Sequence, residues 1–290
     1  MKIMIIGHGF VGQAVDYGFT HPKVEKMIID PKYGHTHPIH YDIFYPKDLL
    51  DYNMIFVCVP TSMADDGSVD TSILDKIVNR IVSDGPIACP VVIKSTVTPD
   101  WLKKLETDSL YSNFVYNPEF LTEKNANEQF VNPEFHLLGG RVTATQTVQY
   151  LYSEYSIMND APFLHCTMQE ASFIKYAINT FLATKVTFFN NLYDAVNDYD
   201  GNVNWSSVLK GISFDKRIGK GHTSVPGFDG KQGFGGACFP KDTSAFTKFS
   251  NRLPLLEKVI KINNEYRSNY ELDTREIEQH VNYGQTKEEQ

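Results

Sequence analysis

The chain opens on short apolar runs separated by amphipathic stretches. Ile3–Ile6 is an unbroken apolar run stopped by Gly7. It is too short for a buried helix and reads as a buried strand. Val11–Phe19 follows as a helix, and Lys26–Ile29 as a second strand ending at Asp30. Further runs occur at Met54–Val59, Val91–Ile93, Phe114–Tyr116 and His136–Leu138, the last just before Gly139-Gly140. Runs without strict alternation suit a parallel sheet covered on both faces. Helical spacing over Thr71–Val82 and Thr143–Tyr155 completes βα units. The pattern predicts an α/β fold whose N-terminal part is a doubly wound parallel sheet.

The pattern changes after residue 166. Thr167 to Asp198 contains no Gly and no Pro. Thr167-Met168-Gln169-Glu170 carries a capping-box signature, and Asp200-Gly201 gives a stop. A helix of roughly 32 residues is ~48 Å long. Its apolar residues lie on more than one face, with Ile174, Ile178 and Phe181 on one side and Phe173, Phe188 and Tyr193 on others. One domain is not expected to bury them all, so the helix is predicted to join two domains and to pack against a second copy in a homodimer. Val203–Leu209, a helix from near Pro240 and another from about Leu255 past Tyr266 predict a smaller all-helical domain. The tail from Glu271 is polar, and Gln285–Gln290 is expected to fray. The domains expected are residues 1–166, the connecting helix 167–200, and residues 201–290.

Composition narrows the function. Hydrophobic residues make up 42% and charged residues 21%, as in ordinary globular proteins. No apolar run approaches the ~20 residues of a membrane span. The net charge of −8 argues against a nucleic-acid binder, which presents a basic face. Cys58, Cys89, Cys166 and Cys238 are irregularly spaced without a CxxC pair, so neither a metal site nor a disulfide framework is expected. Reduced thiols fit the cytoplasm. One of the four is then a candidate for chemistry and three for the core.

Gly7-His8-Gly9-Phe10-Val11-Gly12 is GxGxxG between a strand and a helix, and Asp30 lies 18 residues past Gly12 at the end of the second strand. This is the dinucleotide fingerprint in its proper context, and it makes the sheet Rossmann-type. Gly7 permits the turn, Gly9 lets a pyrophosphate approach, and Gly12 lets helix pack on sheet. Asp30 accepts from ribose hydroxyls and repels a 2′-phosphate, so NAD is expected over NADP. The second constellation is Gly233-Phe234-Gly235-Gly236-Ala237-Cys238-Phe239-Pro240-Lys241-Asp242. Pro240 marks a first helical turn, so Cys238 sits at a helix N-terminus, where thiolate is favoured. Lys241 adds positive charge, and Asp242 is placed to steer a water or take a proton. On the long helix, Lys175 and Asn179 share a face that Leu182, Val186 and Asn190 continue. They are either polar groups at the rim of an apolar stripe or donors aimed into a cleft.

These segments, with Cys58-Val59-Pro60-Thr61, Lys94-Ser95-Thr96-Val97, Asn117-Pro118-Glu119-Phe120-Leu121 and Ile212–Gly219, occur in the order found in one family. The chain resembles the nucleotide-sugar dehydrogenases, most closely the UDP-glucose 6-dehydrogenases. The resemblance implies four-electron oxidation of a sugar primary alcohol to the carboxylate, with Cys238 holding a thiohemiacetal and then a thioester. It implies that Lys175 and Asn179 stabilise an oxyanion, that Asp242 helps activate water, and that Thr96 and Glu123 lie near water and nicotinamide. Glu119, Phe120, Leu121, Glu123, Lys175, Asn179 and Gly235 are implied to contact the sugar, and Arg217 to reach the substrate of a neighbouring subunit. Phe10, Val11, Thr61 and Lys241 join the glycines and Asp30 on the cofactor side. Family members continue into a second Rossmann-like domain that binds the nucleotide end, and the sequence stops at Gln290, before it. Other readings of the same residues are oxidation of GDP-mannose or a UDP-N-acetylhexosamine, a two-electron hydroxyacid dehydrogenase that needs no cysteine, and an NAD-binding assembly module without turnover.

Overall fold

The computed structural model of the chain describes residues 1–33, 49–83, 85 and 87–284, with the side chain of Glu123 outside that set. The predicted fraying of Gln285–Gln290 falls outside the described residues. Two compact units emerge, Met1–Thr61 with Asp70–Lys175, and Ser62–Val69 with Tyr176–Gln290.

The first unit is built on a seven-stranded sheet. Its strands are β1 (Lys2–Ile6), β2 (Glu25–Ile29), β3 (Met54–Val57), β4 (Val91–Ile93), β5 (Phe114–Tyr116), β6 (His136–Gly140) and β7 (Phe163–Cys166), in the order β2-β1-β3-β4-β5-β6-β7. Successive residues point to opposite faces, and the core divides accordingly. Met4, Ile6, Ile55, Val57, Val91 and Ile93 belong to one apolar cluster, which α2 (Ser72–Ser83) and α3 (Pro99–Thr107) cover. Ile3, Ile5, Met54, Phe56 and Val92 belong to the other, covered by α1 (Phe10–Gly18), α4 (Ala126–Val131) and α5 (Val142–Tyr155). Both faces are therefore dry, which is why the strands read as continuous apolar runs.

The sheet is not wholly parallel. β5 and β6 run antiparallel, with Val115 opposite Gly140 and Tyr116 opposite Gly139, while β6 and β7 are parallel to each other. Apolar runs report burial on two faces and carry no strand direction. Gly140 takes φ +146, and a Cβ there lies 3.0 Å from the Phe114 carbonyl oxygen. Strand β7 and helix α3 were not expected. Only one of the four residues of β7 is exposed, yet none is fully buried, and its sequence has no clear period.

Helix α6 (Met168–Asn197) spans 30 residues, close to the length expected. The capping box forms: Glu170 N–H donates to Thr167 Oγ1 (3.1 Å) and Thr167 N–H to Glu170 Oε2 (2.8 Å). Its core and surface faces each mix polar and apolar residues. Lys175, Asn179, Thr180, Thr187 and Asn190 are buried, whereas Phe173, Phe181 and Phe188 are exposed. In the second unit, α6 is joined by α7 (Trp205–Ile212), α8 (Phe239–Phe249), α9 (Pro254–Arg267) and α10 (Thr274–Glu278). Tyr176 stacks on Phe246 at 5.1 Å within the cluster formed with Ala245 and Leu256. Segment 62–69 joins this unit through Ser244 Oγ to the Gly67 carbonyl (2.7 Å) and Met63 N–H to the Gln279 carbonyl (3.0 Å). The polar tail after Glu271 folds inward: Glu276, Val281 and Tyr283 are buried.

Candidate active site

The turn after β1 is shaped by backbone crowding. Gly7 adopts φ +86, and a Cβ there meets the Cys58 carbonyl oxygen at 2.7 Å. A Cβ on Gly12 lies 2.0 Å from the Gly7 carbonyl oxygen. Gly9, the N-cap of α1, differs, since a Cβ there has nothing within 4 Å. The second glycine therefore opens outward at a helix N-terminus, whose first amides have no intrahelical acceptor. That cradle fits a dinucleotide pyrophosphate. Asp30 lies against the same turn: its Oδ2 accepts the His8 N–H (2.6 Å) and its Oδ1 the Lys32 N–H (3.0 Å). Phe10 and Val11 pack on the sheet's second apolar cluster.

The ends of β3, β4 and β5 carry the next group. Thr61 is buried, and its hydroxyl donates to the carbonyl of Thr96 (2.9 Å). Lys94, 1% exposed in its side chain, pairs with the Glu119 carboxylate and donates to Asn117 Oδ1 (2.7 Å). Lys175 donates to the backbone carbonyl of Glu119 and lies 5.0 Å over the Phe120 ring. So Glu119 is held by its carboxylate and in turn holds Lys175. Leu121 packs into the sheet's second cluster, and Glu123 begins a short 3-10 turn.

In the second unit, Cys238 is the N-cap of α8, with Pro240 in the first turn. Asp242, 1% exposed, accepts from Asn179 Nδ2 (2.6 Å) through Oδ2 and from Lys241 Nζ (2.5 Å) through Oδ1. A rim position for Lys175 and Asn179 is thereby excluded: they are 4% and 5% exposed. Arg217 is exposed and bidentate on Asp215 two residues before it. None of the four cysteines is in a disulfide. Burial pushes the Cys58 thiol up to about 12 and those of Cys89 and Cys166 to about 11, so these three stay protonated and inert.

The loop before Cys238 is strapped by buried side chains. Gly233 N–H donates to Asn190 Oδ1 (3.0 Å), Phe234 N–H to Asn263 Oδ1 (2.6 Å) and Gly236 N–H to Glu276 Oε1 (3.1 Å). A Cβ on Gly235 falls 1.4 Å from Arg267 Nη2. Sequence reading gave no role to Lys94, Asn263, Arg267 or Glu276. One signal was available for Glu276: Asp273 and Glu276 have capping-box spacing, and the box forms. Among the described residues no group of three His, Cys, Asp or Glu side chains is arranged to hold a metal, and no helix is long and apolar enough to cross a membrane.

Comparison with known proteins identifies the two domains. Residues 35–156 match the NAD binding domain of the UDP-glucose/GDP-mannose dehydrogenase family, and residues 169–265 its central domain. A UDP-glucose 6-dehydrogenase of Rickettsia felis is 33% identical over 239 residues, covering 78% of this chain and 50% of that protein. YtcA of Bacillus subtilis, a putative UDP-glucose 6-dehydrogenase, is 32% identical over 274 residues, covering 84% of this chain and 62% of its own. The chain thus spans half to about three fifths of these relatives. The structure of a UDP-glucose dehydrogenase from Pyrobaculum islandicum aligns with TM-score 0.73 at 27% identity, covering 93% of this chain and 69% of that one. With its Rossmann-type first unit and helical second unit, the chain belongs to the UDP-glucose/GDP-mannose dehydrogenase family and carries its NAD-binding and central domains.

Proposed function

We propose that the chain carries the chemistry of an NAD-dependent oxidation of a nucleotide sugar's primary alcohol to the carboxylate, with UDP-glucose the first substrate to test. The observation that carries the reading is the arrangement on α8: a cysteine at the helix N-terminus and, one turn on, a buried carboxylate held by Asn179 and Lys241. The turn at Gly7, Gly9 and Gly12 with Asp30 would hold the cofactor, which supplies, when bound, the acceptor for the hydrides released. Cys238 thiolate adds to the aldehyde-level carbon, forming a C–S bond and a thiohemiacetal. Lys175 and Asn179 donate to the oxygen that gains charge. At the thioester level a water oxygen bonds to the carbonyl carbon, Asp242 accepts the water's proton, and the C–S bond breaks to return the thiolate. Covalent capture keeps the aldehyde from escaping between the two oxidations.

The exposed aromatics Phe173, Phe181 and Phe188 on α6 support packing against a second copy, and four cysteines outside any disulfide accord with a cytoplasmic setting. Light scattering at micromolar concentration is expected to give a dimer. The test of the chemistry is a panel of UDP-glucose, GDP-mannose and UDP-N-acetylhexosamines with NAD, counting NADH per sugar consumed. Two NADH per sugar is the expected result. One per sugar points to the two-electron dehydrogenase, and none with any sugar to the binding module.

A further inference from the structure

The second unit holds a buried charge cluster that the proposed chemistry does not use. Arg267, 2% exposed, donates from Nη1 and Nη2 to Asp229 Oδ2 at 2.8 and 2.7 Å. Its Nη2 lies 3.6 Å from Glu276 Oε1. Glu276, 1% exposed, also accepts the Tyr283 hydroxyl at 2.7 Å through that oxygen. Its other oxygen accepts the Asp273 N–H at 2.9 Å. Tyr283 is itself buried. Burying an arginine and a glutamate carries a large desolvation penalty before pairing is counted, so closing a tail alone does not account for the cluster.

What it touches is the cysteine loop. Glu276 Oε1 takes the Gly236 N–H, two residues before Cys238, and the Arg267 guanidinium occupies the volume that any side chain at residue 235 would need. Gly236 takes φ +77, so the chain turns sharply there, directly on the Glu276 bond. Asp229 ties the preceding Gly227–Lys231 turn to the same guanidinium. We propose that Glu276, held by Arg267 and Tyr283, is a positioning residue that fixes the Gly235-Gly236 backbone and thereby the placement of the Cys238 sulfur at the N-terminus of α8. The proposal rests on the reading of Cys238 as the nucleophile, but its primary readout does not require turnover.

The test is site-resolved alkylation of the full chain with iodoacetamide across pH, following the Cys238 peptide by mass spectrometry. Thiolate fraction, rather than accessibility, sets the midpoint of that profile. Glu276→Gln keeps an acceptor near Gly236 but removes the charge that holds Arg267. Tyr283→Phe removes only a hydroxyl, and it carries the test should Glu276→Gln fail to fold. Lys241 and Asp242, ionisable neighbours on the helix turn of Cys238, pair with each other in the wild type and are untouched by either substitution. Neutralising Glu276 by itself lowers the Cys238 midpoint, so a rise of about half a pH unit in Glu276→Gln, and a smaller one in the charge-preserving Tyr283→Phe, reports the expected loss of alignment with the helix N-terminus. Where a sugar substrate is turned over, kcat falls about tenfold in Glu276→Gln with KM for NAD unchanged. A lower melting temperature with the wild-type midpoint in both variants overturns the proposal and leaves the cluster a structural support. If no sugar is oxidised by the wild type, the catalytic reading fails while the shift in midpoint still decides the positioning.

Discussion

Two glycine-rich segments shape the candidate sites of this molecule, and they are fixed in different ways. The turn at residues 7–12 is set by its own neighbours: Gly12 abuts the Gly7 carbonyl, and Gly7 abuts the end of β3. The loop at residues 233–236 is set by side chains from far along the chain, Asn190 on α6, Asn263 on α9 and Glu276 on α10. The first kind of site is set chiefly by backbone sterics at its glycines, with side-chain anchors such as Asp30 close by in sequence. The second is a property of a folded core, and a change as distant in sequence as residue 276 reaches it. Binding a dinucleotide asks for a smooth cradle and exposed amides. Presenting a nucleophile asks for a sulfur placed to a fraction of an ångström.

Substitutions can break or sharpen this contrast. The largest effect is expected at Cys238. Cys238→Ala should lower NADH production at least about a thousandfold and leave stability within about 0.5 kcal/mol, because the side chain is only half-buried. Cys238→Ser still offers an oxygen to the aldehyde, but an ester hydrolyses less readily than a thioester, so it too should be nearly inactive. Asp242→Asn should let a thioester accumulate, visible as added mass on the Cys238 peptide. Full activity in Cys238→Ala would remove the four-electron mechanism.

Next comes the buried pair in the first unit. Lys94→Met leaves the Glu119 carboxylate without its cation, and the loss is expected to be about 3 kcal/mol in a denaturant titration. Because Glu119 also holds Lys175 through its carbonyl, activity should fall as well. Equal stability in wild type and variant would show that the pair contributes nothing net.

The glycines themselves come third. Gly12→Ala forces a methyl to 2.0 Å from a carbonyl oxygen and should cost about 2–3 kcal/mol, with loss of NAD binding. Gly9→Ala meets no atom within 4 Å, so the fold should melt at the wild-type temperature while NAD affinity falls about tenfold. Calorimetry with and without NAD separates the two. A Gly9 variant with full affinity would mean that the pyrophosphate does not approach there.

The same contrast explains what could be read from the sequence. Six of the seven strands were legible because both faces of the sheet are dry there, while half-buried β7 was not, and α6 was legible because nothing in thirty residues breaks a helix. The dinucleotide turn was legible because its determinants are contiguous. The direction of β6 was not, since burial pattern carries no polarity. The charge cluster under Gly235 was hidden because Arg267 lies at the end of an ordinary amphipathic helix and Glu276 in a polar tail. Only the fold shows that they are buried and what they hold. Lys94 was quoted within a motif, yet nothing local reveals that its partner lies 25 residues away.

The smallest effect separates charge from shape at Asp30. Its carboxylate accepts two backbone amides, from His8 and Lys32, so removing it disturbs the turn as well as the proposed ribose contact. Asp30→Ala therefore confounds two causes, and it should weaken NAD and NADP together. Asp30→Asn is the cleaner change. It retains one carbonyl oxygen for the His8 amide and for a ribose hydroxyl, and it loses the negative charge that opposes a 2′-phosphate. The expected outcome is a KM for NAD within about threefold of wild type and a rise of about tenfold in the NADP-to-NAD ratio of kcat/KM. Wild-type discrimination retained in Asp30→Asn would place the selectivity in the shape of the turn rather than in the charge.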